Sequence, residues 1–342
     1  MNIAILLPLT ENYSKNIAGA ASLAAHDNCN HSIYKFTIFG FTKSKNILSK
    51  HYRNLNFKKK FFFSSKNKSY LDFFIKKIDI DKYSILEVYN RPEFVHYLRK
   101  KTNIKIILHI INDPLKLRGS KSFSDRKNLL NICEIIFISK WVQKQFFTDF
   151  SKIKKTAVIP PGSPKPKTFP KKKKIIIFAG KTNLSKGFDI FCHAVISILK
   201  KFPDWSSIII GDDPREKFNF SHPRLFFKGW VSYKKTLSKF SEASICVIPS
   251  RWEEPFGRVS LESSAYGCAN IVSKKGGLPE TCKYKITLKN LTFDNLSKEL
   301  EKLIMHPKKL ALLQRRSFNS HKHTPQKSVL MLDTVRKKIS ND

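Results

Sequence analysis

Acidic residues are scarce in this sequence. Among its 342 residues, 26 Asp and Glu stand against 64 Lys and Arg, which gives a formal net charge of +38. Such an excess suits phosphate-bearing partners or an anionic membrane face. Lysines are nevertheless spread along the whole chain beside many Phe, Ile and Asn, as a coding bias would produce. The charge alone does not separate a functional basic surface from a compositional bias.

Closely spaced cysteines and long apolar runs are also missing. The six cysteines show no C-x-x-C spacing, so neither a zinc site nor a redox pair is indicated, and a reducing cytoplasm is expected. No apolar run reaches the ~20 residues that cross a bilayer. The segment "MNIAILLPLT" lacks a basic n-region and is better interpreted as a first strand. Any membrane contact is therefore expected to be peripheral, on the inner face of the cytoplasmic membrane.

The chain does have enough material for two domains. Hydrophobic residues make up 41% of it, and its length suits two domains of roughly 100–200 residues each. Short apolar runs such as "NIAILLPL" and "SILEVY" alternate with amphipathic segments, which is typical of parallel sheets buried on both faces. The Pro- and Lys-rich residues 160–174 predict a linker. We therefore expect an α/β domain over residues 1–163 and another over 164–342, whose last helix could return to the first domain.

The stretch "SRWEEPFGRVSLESSAYG", residues 250–267, concentrates acids in a chain that has few. The pattern predicts a strand before it, an open loop "RWEEPFG" and a helix that Gly267 ends. This arrangement places Glu254 on the loop and Glu262 on the first turns of the helix.

Two carboxylates at this point suggest a ligand rich in hydroxyl groups. The backbone amides of Phe256, Gly257 and Arg258 would point out of the helix N-terminus, where oxygen-rich ligands are favoured. A carboxylate accepts paired hydrogen bonds from neighbouring hydroxyls, as a ribose or a sugar ring offers. The alternative is that Glu254 is solvated and Glu262 only favours the helix N-terminus.

Two further strand ends carry loops that suit phosphate or sugar. In "FAGKTNLSKG", Gly180 ends a strand, Lys181 and Lys186 follow, and Gly187 opens a helix. Two ammonium groups beside such a turn suit a diphosphate. In "GGLPE", a glycine pair precedes Pro279 at an expected first helical position. A lysine pair is weak evidence in so basic a chain, but three such strand ends carry more weight together.

These motifs resemble those of the family 4 retaining glycosyltransferases of GT-B fold. The resemblance rests on the E-x7-E pair in "EEPFGRVSLE", the "GK…KG" loop, "IPPG" before the linker and "GGLPE", and it is strong over residues 157–282. It implies two Rossmann-like domains with parallel sheets facing across a cleft. The N-terminal domain would bind the acceptor and the C-terminal domain the sugar nucleotide.

The resemblance also implies roles for single residues. Glu262 would hold the ribose hydroxyls, and Glu254 the donor sugar. Lys181, which stands where the family usually has Arg, and Lys186 would bind the diphosphate leaving group. No metal cofactor is expected, since these cations do its work and no D-x-D run is present. The implied donor-binding set is Glu262, Phe256, Gly257, Arg258, Gly180 and Gly19.

The N-terminal half matches the family more weakly. "NIAGAASL" has Gly19 alone where the family commonly has a glycine pair, which affects how closely this loop approaches the sugar. In "LHIINDP", His109 is the candidate for contact with the reacting centre, because GT-B enzymes often place a histidine there. A satisfied core histidine is the alternative.

Basic and aromatic residues interleave over residues 57–77. This pattern fits either a membrane-surface patch, which would favour a lipid-borne acceptor, or a strand followed by a helix with a solvated face.

The sequence thus predicts a glycosyltransferase. It would move a sugar from a nucleotide-sugar donor to a glycan or lipid-linked acceptor in cell-surface polysaccharide or lipopolysaccharide biosynthesis. A catalytically impaired GT-B scaffold and a basic nucleic-acid-binding protein are the alternatives, although no nucleic-acid-binding motif is present.

Overall fold

The computed structural model describes residues 1–15, 18–57, 65–154 and 156–341. The chain forms two compact units, of which the first is Met1–Gly162 together with Pro325–Asp342 and the second is Ser163–Thr324. The first unit therefore contains the C-terminal helix as well as the N-terminal half of the chain.

The first unit is built on a parallel sheet. Within the described residues, seven strands pair in the order β3-β2-β1-β4-β5-β6-β7. The strands are β1 (Asn2–Leu6), β2 (Lys35–Gly40), β3 (Tyr52–Asn54), β4 (Ile85–Tyr89), β5 (Lys105–Ile110), β6 (Glu134–Phe137) and β7 (Ala157–Val158). The helices are α1 (Ala20–Asn30), α2 (Lys66–Lys77), α3 (Pro92–Arg99), α4 (Phe123–Ile132), α5 (Lys140–Phe146) and the C-terminal α11 (Pro325–Asn341), with 3₁₀ turns at Ile80–Lys82 and Pro114–Lys116.

The second unit, all of whose residues are described, repeats this architecture. Six parallel strands lie in the order β10-β9-β8-β11-β12-β13. The strands are β8 (Lys173–Ala179), β9 (Ser206–Ile210), β10 (Leu225–Phe227), β11 (Ala243–Ile248), β12 (Ala269–Val272) and β13 (Ile286–Thr287). The helices are α6 (Phe188–Lys201), α7 (Tyr233–Glu242), α8 (Arg258–Ala265), α9 (Phe293–Met305) and α10 (Pro307–Ser320), with 3₁₀ turns at Leu184–Lys186 and Leu278–Glu280.

Each sheet is buried on both faces. In β8, Ile176 and Phe178 belong to one apolar cluster and Ile175 and Ile177 to another, because successive side chains of a strand point to opposite faces. The same alternation divides β1 between two clusters. The predicted α/β class with two Rossmann-like parallel sheets is confirmed.

Several helices begin where the sequence offers a hydroxyl side chain. In each of these cases, the cap oxygen accepts a hydrogen bond from a backbone N–H of the first turn, which would otherwise have no partner within the helix. The capping residues are Ser65 of α2, Ser122 of α4, Ser139 of α5, Ser232 of α7 and Thr292 of α9.

The topology of the second sheet brings two loops together. The strand order reverses at the β8–β11 pair, whose register joins Ile176 to Ile245 and Ile177 to Cys246. At such a reversal the following connections leave in opposite directions, and a crevice forms at the carboxyl ends of the strands. The loops after β8 and β11 therefore start side by side.

The C-terminal helix α11 is joined to the first unit by a buried ion pair. Arg336 Nε lies 2.6 Å from Glu87 Oε1 of the central strand β4, and both side chains are fully buried. Arg336 also donates a hydrogen bond to Asp333, at 2.8 Å. Burial alone raises the pKa of Glu87, but the facing guanidinium of Arg336 lowers it to about 2. Helix α11 thus contributes a buried charge partner to the centre of the sheet.

The aromatic and basic segment 57–77 lies only partly within the described structure. Residues 58–64 are outside the described residues. Helix α2 buries Tyr70, Leu71 and Phe74 in the core, so its apolar side chains pack inward. Over the part of the chain that is described, no helix is both long and apolar enough to cross a membrane. All six cysteines are free thiols.

Candidate functional site

The loops after β8 and β11 meet through an ion pair in the second unit. Lys186 Nζ lies 2.5 Å from Glu254 Oε1, and the two side chains are 28% and 13% exposed. From the family resemblance, Lys186 was expected to bind a diphosphate and Glu254 a sugar. The structure shows that these two side chains contact each other.

The loop that carries Lys186 is held by buried polar groups. Asn183 begins the 3₁₀ turn, and its Oδ1 accepts a hydrogen bond from the Lys186 backbone N–H at 3.0 Å. The Asn183 side chain donates to Asp213 Oδ2 at 2.9 Å. Arg215 binds both oxygens of the same carboxylate. The hydrogen bonds from Arg215 and Asn183 hold the pKa of Asp213 well below its usual range, so Asp213 is a permanent anion that orients the loop.

Two glycines border this loop for different reasons. Gly187 has a φ of 67°, and a Cβ placed on it would lie 1.9 Å from the carbonyl oxygen of Pro249. It is therefore needed for the close packing of the two loops. Gly180 has a φ of 144°, and no heavy atom lies within 4 Å of the position of its Cβ. The side of Gly180 on which a side chain would stand is therefore open, whereas its N–H donates to the Ile210 carbonyl oxygen at 2.9 Å.

The glycines of "GGLPE", which were expected to border a phosphate or sugar, pack against the loop that carries Glu254. A Cβ on Gly276 would lie 2.1 Å from the carbonyl oxygen of Glu254. The Gly276 amide donates to Glu253 Oε2, and the Gly277 amide donates to the Glu254 carbonyl, each at 2.6 Å. These amides are used inside the protein. The Gly277 amide holds the backbone carbonyl of Glu254, and the Gly276 amide holds the side chain of Glu253.

Unlike the amides of "GGLPE", the two backbone amides that precede α8 are not used inside the described part of the protein. Gly257 precedes the helix with a φ of 107°, a conformation that favours glycine. Among the described residues, neither Phe256 N–H nor Gly257 N–H has a hydrogen-bond acceptor. These two donors, which the sequence predicted for a sugar or phosphate oxygen, remain available at the N-terminus of α8.

The second carboxylate of the motif is buried on α8. Glu262 is 5% exposed, and its Oε1 lies 3.1 Å from Arg258 Nε, one helical turn earlier. The arginine is 26% exposed in its side chain, so it both neutralises the carboxylate and reaches the surface. The structure thus joins two residues that the resemblance implied to be donor-binding.

Lys181 is exposed, and its carbonyl oxygen accepts a hydrogen bond from Asn183. Beside this loop lies a cavity of about 570 Å³ at the carboxyl ends of β9 and β10. Thr182, Asp213 and Phe227 are among the residues that line it. Lys181, which was predicted to bind the diphosphate, is therefore followed directly by Thr182, which lines this cavity.

The two candidates in the first unit have partners of their own. His109 is 4% exposed, its Nε2 lies 3.0 Å from Glu87 Oε2, and its ring stacks on Tyr89 at 4.1 Å between centroids. Gly19 precedes α1, where a Cβ would lie 2.2 Å from Glu11 Oε2. These contacts correspond to the core alternative for His109. Its contact with the reacting centre, and that of Gly19 with the sugar, stay predictions.

Sequence reasoning missed the residues that position the loops. Asp213 and Asn183 were not singled out, although "GDDP" directly follows the apolar run of β9, where ligand-side residues are expected. Glu253 was also missed, since its role depends on Lys275, at 3.1 Å, and on the Gly276 amide. Over the described residues, no group of three or more His, Cys, Asp or Glu is placed to hold a metal ion.

The chain is similar in sequence and in fold to known glycosyltransferases. Residues 162–318 match the family model of glycosyl transferases group 1. The putative glycosyltransferase YtcC of Bacillus subtilis is 26% identical over 257 residues, which span 65% of this chain and 63% of that protein. The chain therefore matches less than two thirds of the length of this relative.

Solved structures share the whole fold. HepE of Anabaena in complex with UDP superposes with a TM-score of 0.77 at 14% identity, over 100% of both chains. WaaG, described as a glycosyltransferase involved in lipopolysaccharide biosynthesis, superposes with a TM-score of 0.67 at 11% identity, over 96% of this chain and 98% of its own. At such identities the likeness shows the fold. Residues 162–318 thus match the model of glycosyl transferases group 1, and the two parallel-sheet units of the chain have the fold of GT-B glycosyltransferases.

Proposed function

We propose that this protein is a retaining glycosyltransferase of the hexosyltransferase type. It transfers a sugar from a nucleotide-sugar donor to a glycan or lipid-linked acceptor. The observation that carries the proposal is the Lys186–Glu254 pair at the carboxyl ends of adjacent strands, inside the domain that matches the family. An ammonium beside a carboxylate matches the two parts of the donor, an anionic diphosphate and a sugar with hydroxyl groups.

The donor would exchange the partners of this pair. A diphosphate competes with Glu254 for Lys186, because phosphate oxygens accept charge-assisted hydrogen bonds equally well. The released carboxylate can then accept hydrogen bonds from the sugar hydroxyls. The free amides of Phe256 and Gly257 add donors for oxygen atoms at the same place. Glu262, held by Arg258, would accept hydrogen bonds from the ribose.

The transfer step needs no protein nucleophile. The bond between the anomeric carbon and the diphosphate oxygen breaks, and the acceptor oxygen bonds to that carbon on the same face. The acceptor proton passes to the departing phosphate. Lys181 and Lys186 offset the charge that develops on this phosphate, and the rigid loops hold both reactants in place. In this proposal the chain itself supplies the cations, and no metal ligand is assigned.

The acceptor is proposed to belong to a cell-surface polysaccharide or lipopolysaccharide. The likeness of the fold to WaaG supports this class, and the net charge of +38 suits a protein that works at an anionic membrane surface. The protein is proposed to act in the cytoplasm, where nucleotide sugars are made available to it.

The test is a screen of the purified protein against UDP-, GDP-, ADP- and CMP-sugars by thermal shift and calorimetry. Binding to the folded state raises the melting temperature, and the rise grows with the logarithm of ligand concentration once this exceeds the Kd. We expect one nucleotide class to stabilise the protein, and a Glu262→Ala variant to lose this response while keeping its own fold by circular dichroism. The product of the selected donor with a glycan acceptor is then examined by NMR for the configuration at the anomeric carbon.

Other results would move the function elsewhere. Binding of the nucleotide sugar without turnover would favour a GT-B scaffold. Binding of DNA with a steep salt dependence, and none of the nucleotide sugars, would favour a nucleic-acid-binding protein. A product with inverted configuration at the anomeric carbon would still indicate a glycosyltransferase, but it would contradict the proposed retention of configuration.

A further inference from the structure

A second cavity lies in the second unit and shares no lining residue with the candidate donor site. It has a volume of about 410 Å³. Three parts of the chain form it: the end of α8, the segment 279–285, and the segment from the end of α10 to His323. The cavity is therefore bordered by elements that come from three separate regions of the sequence.

Two polar atoms in the wall of this cavity lack a protein partner. Ser317 is 1% exposed, and its Oγ has no hydrogen-bond partner among the described residues. His321 Nε2 is likewise buried and unpartnered over the same residues. A buried polar group without a partner costs free energy, so such groups normally meet another polar group. The two residues that carry these atoms are among those that line the cavity.

Positive charge surrounds the same space. Lys283, Lys285 and Lys322 line the cavity, against a single carboxylate from Glu280. Lys285 Nζ is fixed by a hydrogen bond of 2.7 Å to the carbonyl oxygen of Cys282. The cation count exceeds the anion count by two, so the cavity favours an anionic ligand.

The donor groups belong to different elements of the fold. Lysines come from the segment after the Leu278–Glu280 turn, a hydroxyl comes from α10, and an imidazole comes from the segment that follows α10. A planar carboxylate has two oxygens in one plane, whereas a terminal phosphate presents three acceptor oxygens around a tetrahedron. Donors that come from three separate elements suit a terminal phosphate, which has three acceptor oxygens.

We propose that this cavity is a second anion site, which binds the terminal phosphate of a phosphomonoester. Lys283 and Lys322 neutralise its charge, and Ser317 and His321 donate hydrogen bonds to its oxygens. The site is separate from the donor diphosphate and would bind whether or not the protein transfers sugar. The phosphomonoester comes from a soluble metabolite or from a lipid headgroup such as phosphatidic acid.

The first experiment measures binding of inorganic phosphate by calorimetry and by the imidazole NMR signals of the histidines. It uses a Lys181→Gln/Lys186→Gln background, so that the candidate donor site does not contribute. We expect a saturable site whose occupation shifts the signals of His321. Adding Lys283→Gln and Lys322→Gln should lower the affinity at least about tenfold, since two charge-assisted hydrogen bonds are lost.

A matched control removes charge elsewhere on the same unit. Lys308 and Lys309 lie at the start of α10 and do not line the cavity. We expect a Lys308→Gln/Lys309→Gln variant to bind phosphate as the background protein does. The proposal would be overturned if Lys283→Gln/Lys322→Gln and Lys308→Gln/Lys309→Gln lost the same phosphate affinity. It would also be overturned if the NMR signals of His321 did not shift at saturating phosphate.

A Ser317→Ala variant separates binding from folding. Removing an unpartnered hydroxyl relieves a buried polar group, so the melting temperature should stay constant or rise while phosphate affinity falls. A fall in melting temperature with unchanged phosphate affinity would show that the hydroxyl is structural and would contradict the proposal.

Sedimentation with vesicles of phosphatidylcholine, with and without phosphatidic acid, identifies the source of the phosphomonoester. Selective binding to the vesicles with phosphatidic acid, removed by Lys283→Gln/Lys322→Gln, indicates a lipid headgroup. Binding of inorganic phosphate without binding to these vesicles indicates a soluble ligand.

Discussion

Lys186 Nζ lies 2.5 Å from Glu254 Oε1, across the loops that follow two adjacent strands. The pair is partly buried, so solvent screens it less than an exposed pair. The contact fixes the position of the Lys186 ammonium beside the loop that follows β11. An ammonium that is already in place when the leaving group becomes charged does not have to reorganise during the reaction.

The first prediction concerns this lysine. Lys186→Gln should lower kcat by about 10²–10³, because the amide cannot neutralise the departing diphosphate. Steady-state kinetics with the donor identified above will measure the change. The control is Lys201→Gln, which breaks an exposed Lys–Glu pair with Glu301 in the same unit. Similar losses in both variants would show that net charge, and not this contact, controls the rate.

The second prediction concerns Glu262 and the ribose. The wild-type protein should bind a 2′-deoxynucleotide at least about tenfold more weakly than the ribonucleotide, because the hydrogen bond from the 2′-hydroxyl to the Glu262 carboxylate is lost. Glu262→Gln should weaken binding of the ribonucleotide and remove most of this discrimination. Calorimetry with the two nucleotides forms the complete cycle. Discrimination that persists in the variant would place the ribose on other residues.

The third prediction isolates the packing of "GGLPE". Gly276 and Gly229 both have a φ of 57°, but a Cβ would lie 2.1 Å from the Glu254 carbonyl oxygen at Gly276 and meet no heavy atom within 4 Å at Gly229. Alanine at either position carries the left-handed penalty of about 1–2 kcal/mol.

Only Gly276→Ala adds a backbone clash, for which we expect a further loss of about 2 kcal/mol. The melting temperature should therefore fall clearly more for Gly276→Ala than for Gly229→Ala. Equal decreases in melting temperature for the two variants would mean that the loops of Gly276 and Glu254 can move apart without a loss of stability.

The fourth prediction concerns acid stability of the first unit. The pKa of Glu87 is about 2 in the folded protein, against an ordinary value of 4.5. Because the folded pKa is the lower one, the ionised Glu87 stabilises the fold above pH 4.5, and this contribution is lost as the pH falls from 4.5 towards 2. Circular dichroism during acid titration should show unfolding within this range.

Removing the partner of Glu87 should destabilise the protein at neutral pH. Arg336→Met leaves a buried carboxylate without its cation, and we expect a loss of about 3–5 kcal/mol in the free energy of unfolding. The double variant Glu87→Gln/Arg336→Met should recover part of this loss and titrate less steeply. A single variant as stable as the parent would contradict a structural role for the pair.

Much of the fold could be read from local patterns. Apolar runs gave the strands, because a residue in a buried parallel strand is apolar on both faces. Gly267 after α8 and Ser122 before α4 are local signals as well, since each acts on the backbone of its own helix. The separate positions of Lys186 and Glu254 were predicted for the same reason, as each follows a recognisable strand.

The amino-acid sequence by itself thus determined the α/β class, the strand ends and the residue types that a sugar nucleotide would need. Tertiary structure decided which of these residues meet. The contact between Lys186 and Glu254 depends on the pairing of β8 with β11, and the burial of Glu87 against Arg336 joins residues 249 positions apart. It also decided that Gly276 faces a carbonyl oxygen and Gly180 faces open space. Contacts of this kind depend on which strands become neighbours, and that is fixed only when the whole sheet packs.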